Sequence, residues 1–272
     1  MMSHKSKHLG RERGNSKSGE AAHGSPVSEQ EWPTAHAGGW RHPALFPERY
    51  FRWRAGEITR LEAFCDVVFG FALTLLVVSL EVPHNYGELL AAMRGFVPFA
   101  IYFAQLAMIW RAHYRFSRRY GLEDDSTLFL NMLLLFVVLF YVYPLKFVWT
   151  LLFSEIMGAS SDGFGIHEAS VVMRVYAVGW IAVFALMSLL YVHAYKLRRE
   201  LGLNAAEVME TRMSLQENVL MALIGVVSLL VAFKNATWAG WTYGVIGPAL
   251  AIHGAIFGKR VRLLAEGEEH RK

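Results

Sequence analysis

The sequence predicts an all-α fold, an integral membrane bundle of six transmembrane helices. Three observations predict it. Of the 272 residues, 54% are hydrophobic and only 18% charged, against roughly 45–50% and about 25% in soluble domains. The apolar residues recur in segments of about 20, the length a helix needs to cross a hydrocarbon layer of about 30 Å. Lipid offers backbone groups no partners, so such segments must be helices or a closed barrel. Runs such as Leu128 to Val142 show none of the alternation of a barrel strand, which leaves helices.

The elements follow in chain order. Residues 1–42 are polar and carry Lys5, Lys7, Arg11, Arg13 and Lys17. They hold too little apolar material to bury and read as a disordered basic arm, a solvated tail rather than a nucleic-acid binder. No apolar run follows these charges, so no cleavable signal peptide is expected. Residues 43–58 mix Phe46, Tyr50, Phe51 and Trp53 with Arg49, Arg52 and Arg54. That mixture suits an interfacial segment, with rings half in lipid and arginines on phosphates. The membrane domain spans 59–258, with spans expected at 59–82, 88–114, 127–152, 169–195, 215–233 and 239–257, and a cytoplasmic tail at 259–272.

Loop charges orient the bundle. The arm, the connection with Arg111, Arg115, Arg118 and Arg119, the one with Lys196, Arg198 and Arg199, and the tail with Lys259, Arg260 and Arg262 are all basic. The opposite connections hold only Lys234 as a fixed positive charge. Positive residues stay on the cytoplasmic side, so six spans with both termini cytoplasmic satisfy every loop of a multi-pass cell-membrane protein. Gly240, Gly244, Gly247, Gly254 and Gly258 sit at spacings that let helices approach closely.

The first span is the unusual one. It opens Arg60-Leu-Glu-Ala-Phe64-Cys65-Asp66 and then runs from Val67 to Leu80 with only Thr74 and Ser79 as polar interruptions. An Asp in such a helix faces protein or water and finds a partner. Arg60 lies six residues back, on a different face, so both groups are expected to reach neighbouring helices. Trp110, His113 and Asn131 lie at matching depth and offer donors and acceptors. The network either only locks packing or also takes part in gating. Phe71, Thr74 and Val78 are spaced three and four apart and share a helix face. By spacing alone that face simply packs against another helix.

Arg60, Phe64 and Asp66, then Thr74-Leu-Leu-Val77 and Leu80-Glu-Val-Pro83, with Trp110-Arg-Ala-His113, Leu130-Asn131-Met-Leu-Leu-Leu135 and Pro144 further on, resemble the transmembrane protein 175 family of potassium channels. The resemblance implies a potassium-permeable, leak-type channel. It also implies six helices per chain, a homotetramer, and a first helix that lines a central pore closed by bulky apolar side chains. Carried over by position, the constriction falls on Phe71, with Gly70 beside it and Thr74 and Val78 one and two turns further out. Cys65 stands where the family has Ser, and Phe71 where it has Ile or Leu. A hydroxyl layer at Thr74 would replace part of an ion's hydration, while apolar rings gate by dewetting.

Other classes fit less well. His113, His193 and His253 come without a His-Glu-x-x-His pattern or an acidic cluster, so neither an enzyme nor a metal site is expected. One cysteine excludes an internal disulfide. No cofactor is expected beyond permeant potassium. The expected partners are further copies of the chain and membrane lipids, with no nucleic acid. A secondary transporter or a non-conducting scaffold is the alternative; Pro98 and Pro248 form one pair of the helix interruptions that transporters favour.

Overall fold

The computed structural model describes residues 51–56, 58–78, 82–156 and 166–269, all within one compact unit. The arm, most of the interfacial segment, the exit of the first span at 79–81 and the polar loop at 157–165 lie outside the described residues.

Among the described residues the regular elements are all helical: α1 Arg60–Val78, α2 Tyr86–Arg94, α3 Phe96–Tyr120, α4 Asp125–Ile156, α5 Ile166–Lys196, α6 Ala205–Ala232, α7 Ala236–Trp241, a 3-10 segment Thr242–Val245, and α8 Ile246–Glu269. Among the described residues four helices, α1, α4, α5 and α6, are long and apolar enough to cross a membrane. The number is five if α2 and α3, which bend by 42° at their junction, count as one span.

Two of the expected spans are therefore not continuous. The second divides at Gly95, and the sixth divides into α7, the 3-10 segment and α8. Proline is the common cause. Pro98 and Pro248 are each the third residue of the helix that follows the break. A proline lacks the N–H that would bond one turn back, and it fits with least cost in a helix's first turn. α8 also runs on to Glu269, so helix continues through most of the expected tail.

Local chemistry sets the other ends. Gly121 takes φ 58 after α3 and returns its N–H to Ser117 O at 2.9 Å, a left-handed closure that glycine adopts without strain. Asn204 and Glu207 form a reciprocal capping box at α6, which satisfies two of the helix's orphan donors.

α1 packs on α3 and α4, α5 lies between α4 and α6, and α8 returns along α6. Close approach occurs at two glycines. A Cβ on Gly179 would lie 2.3 Å from the Tyr141 ring, and one on Gly225 would lie 2.7 Å from Trp180. Gly240, Gly244, Gly247, Gly254 and Gly258 face open space instead, so they bring no described helices together within this chain. The tight packing expected there is not made within the single chain.

The described part of the expected interfacial segment packs onto the bundle. Phe51 and Ala55 are buried, and the Phe51 ring stands edge-on to Tyr120 at 5.5 Å. Arg54 does not reach outward; it pairs with Glu207 at 2.6 Å and donates to Leu201 O at 2.7 Å. Residues 51–56 form a strap bound to the ends of α3 and α6, where the buried Glu207 carboxylate accepts charge-assisted hydrogen bonds from the Arg54 guanidinium.

Candidate functional site

α1 presents two opposed stripes. Glu62, Cys65, Phe69, Ala72 and Leu76 recur at three- and four-residue steps and are all buried. Arg60, Phe64, Val67, Phe71, Thr74 and Val78 recur at the same steps and are all exposed, Phe71 at 57% and Val78 at 78%. A helix in contact with its neighbours along one side only leaves the other side bare. Gly70 adjoins the bare stripe, and a Cβ there would meet nothing within 4 Å.

Thr74 donates its hydroxyl proton to Phe71 O at 2.7 Å. With the donor engaged in the helix, the hydroxyl oxygen of this exposed residue keeps its lone pairs as acceptors. Between Phe71 and Val78 the stripe thus offers one hydroxyl oxygen flanked by bulky apolar groups.

The inner side is anchored by polar contacts. Trp110 Nε1 donates to Asp66 Oδ1 at 2.8 Å. His113 Nε2 meets Asn131 Oδ1 at 2.6 Å, and Asn131 Nδ2 donates to Thr127 O at 2.8 Å. An amide that donates from its nitrogen accepts at its oxygen, so the imidazole proton sits on Nε2. His113 is 1% exposed and stacks beside Phe69, with ring centroids 5.5 Å apart.

The five polar residues expected in one network thus divide. Asp66–Trp110 and His113–Asn131 are two adjacent pairs. Arg60 joins neither, and among the described residues it forms no ion pair; it lines an open groove with Leu61, Phe64, Glu123, Leu128 and Met132. The reason is angular. Arg60 opens the exposed stripe, so its guanidinium projects away from Asp66. Phe64 lies on that stripe as well, and Cys65 is fully buried on the other.

Three anchors escaped the reading of the sequence. Glu62 is 3% exposed and faces Arg118 of α3 at 3.6 Å. Its spacing from Cys65, Phe69 and Ala72 is the signal that would have placed it on the buried stripe. Gln105 joins three helices: its Nε2 donates to Tyr176 at 2.9 Å, and its Oε1 accepts from Trp149 at 2.8 Å. Asp124, ahead of α4, accepts from the Thr127 hydroxyl at 2.6 Å and meets His193 at 2.8 Å. Burial alone would raise the Asp124 carboxyl, but the Thr127 bonds and His193 outweigh it and hold it below its ordinary range. Among the described residues no group of three or more His, Cys, Asp or Glu side chains is placed to hold a metal.

These features define a class: a multi-pass membrane protein whose first helix is anchored by polar side chains on its inner side and bare on the other. Residues 60–141 match the family described as "Endosomal/lysosomal potassium channel TMEM175". A potassium channel of Marivirga tractuosa is 38% identical over 236 residues, 79% of this chain and 94% of the relative. A potassium channel of Chamaesiphon minutus is 31% identical over 147 residues, 51% of this chain and 66% of the relative. The crystal structure of the potassium channel MtTMEM175, a threonine-to-alanine variant in complex with a nanobody–MBP fusion, superposes with a TM-score of 0.68. It shows 35% sequence identity, covering 79% of this chain and 99% of that one. The chain belongs to the TMEM175 family, whose members are channels and not enzymes.

Proposed function

We propose that this protein is a potassium-permeable channel of the leak type, assembled from several copies of the chain with α1 of each lining a common pore. The observation that carries the reading is the bare stripe of α1, which places Phe71, Thr74 and Val78 on one exposed face. A single helix cannot surround an axis, so a pore along this face needs further copies. Closed cyclic symmetry with four subunits is the arrangement we infer. In it each chain crosses the cell membrane six times, counting α2–α3 as one crossing and α7 to α8 as another, with both termini cytoplasmic.

Rings of Phe71 and Val78 would exclude hydrated ions unless the helices part, so their size governs conductance. The Thr74 oxygen between them offers a ligand that replaces water around a bare potassium ion. Gly70 gives the Phe71 ring room to swing aside. The breaks ahead of Pro98 and Pro248 also suit a transporter, but they lie away from α1, and α1 itself is unbroken.

The test is potassium and sodium flux from liposomes holding each variant at equal protein density. Phe71→Ala is expected to raise flux and admit sodium more freely, and Thr74→Val to lower discrimination between the ions. If both leave flux and ion preference unchanged, α1 does not line the pathway and a scaffold becomes the better reading.

A further inference from the structure

We infer that the bundle end around Tyr195 binds the phosphate of an anionic lipid, gripped by Arg198 and Arg212, with an acyl chain laid along α6. Two guanidinium groups converge on one ring there. Arg198 lies 4.7 Å from the Tyr195 centroid and donates Nη1 to Tyr195 O at 3.0 Å. Arg212 lies 5.1 Å from the same centroid, and its Nε donates to the Tyr195 hydroxyl at 3.0 Å, with Nη2 bonded to the same oxygen.

Four acids at this end are engaged elsewhere: Glu207 with Arg54, Glu210 with Arg119, Glu62 with Arg118 and Asp124 with His193. Among the described residues no carboxylate forms an ion pair with Arg198 or Arg212. Two like charges gathered without a counter-charge are stabilised by an external anion, and guanidinium matches a phosphate with paired donors.

Depth says which anion. α6 has 28 residues, about 42 Å at about 1.5 Å per residue, whereas about 20 residues cross the hydrocarbon layer. Measured back from Ala232, the surplus ends near Arg212, which therefore sits at the lipid boundary, as does Tyr195 bonded to it. The chain from α7 to α8 runs antiparallel to α6, for Ser228 donates to Ala239 O of α7 and Gln216 meets His253 of α8. Phe257, one turn beyond His253, is thus level with Arg212, and Arg260 lies 5.6 Å over its ring. Aromatic rings and arginines at one level mark a headgroup boundary.

The surface above Arg212 completes the site. Gln216, Val219, Leu223, Val226 and Leu230 continue from it at alternating steps of four and three, and all are exposed or nearly so on one face. A phosphate held at Arg212 would have its acyl chain on this stripe, which a soluble phosphate has no means to use.

The experiment counts lipid bound to the detergent-purified full chain by native mass spectrometry. The probes are phosphatidylglycerol, phosphatidylcholine and, as the soluble arm, glycerol 3-phosphate. Phosphatidylglycerol is expected to be retained over phosphatidylcholine, to weaken roughly 30-fold in Arg198→Gln/Arg212→Gln, and to return in the paired Lys variant. Should the double variant fail to fold, Arg212→Gln alone, at an exposed side chain, is expected to weaken retention roughly fivefold. Retention of phosphatidylglycerol unchanged by these substitutions overturns the inference. Displacement of the lipid by equal glycerol 3-phosphate overturns the lipid assignment in favour of a free anion site.

Discussion

Asp66 sits one turn from Glu62 on α1, and the two carboxylates are held by different side chains of α3, an indole for one and a guanidinium for the other. A carboxylate deprived of its donor at this depth loses a charge-assisted hydrogen bond without regaining water. Trp110→Phe is therefore expected to cost about 1–3 kcal/mol. Adding Asp66→Asn to it should cost far less than Asp66→Asn costs alone, since the partner has already gone. Thermal unfolding of the four proteins in one detergent measures the cycle, and strictly additive losses would show that the bond carries no coupling. Trp110 and Asn131 were legible as partners because residues at equal depth on adjacent spans have few other donors to meet. Arg60 was not, because depth says nothing about which side of a helix a side chain leaves from.

At the scale of elements, proline positions explain both interrupted spans, while Pro144 lies deep inside α4 with helix on either side. Its presence shows that a proline alone does not divide a long apolar helix; the two that do lie where a Gly or a 3-10 turn precedes them. Glycine spacing misled for a related reason. Small residues three and four apart look the same whether or not a helix lies against them, and the packed pair, Gly179 and Gly225, stands singly in the sequence. Gly179→Ala would force its methyl into the Tyr141 ring, which lies within the aromatic cluster around Gln105. We expect a loss of about 1–3 kcal/mol, read as a lower unfolding temperature, whereas Gly254→Ala, with open space around it, should leave that temperature unchanged. Equal stability of the two variants would refute the close packing of α4 on α5.

For the molecule as a whole, sidedness is the property that loop charges foretell. His84, between α1 and α2, and Arg199, between α5 and α6, are both exposed. Single cysteines at these positions in a Cys65→Ser background are expected to react with an impermeant reagent from opposite sides of sealed vesicles. Reaction of both from one side would discard the topology. Composition and run length by themselves determined that the chain is a helical membrane protein, because lipid imposes the same constraint on any apolar segment wherever it lies. Short motifs in the first three expected spans determined the family, since a resemblance in sequence needs no knowledge of contacts. Only the tertiary structure decided which side of α1 is buried, that Glu62 belongs there and Arg60 does not, and that the strap at 51–56 closes on α6. Those outcomes depend on residues more than 50 positions apart, such as Glu62 with Arg118 and Arg54 with Glu207, and no local pattern encodes which distant side chain will supply the counter-charge.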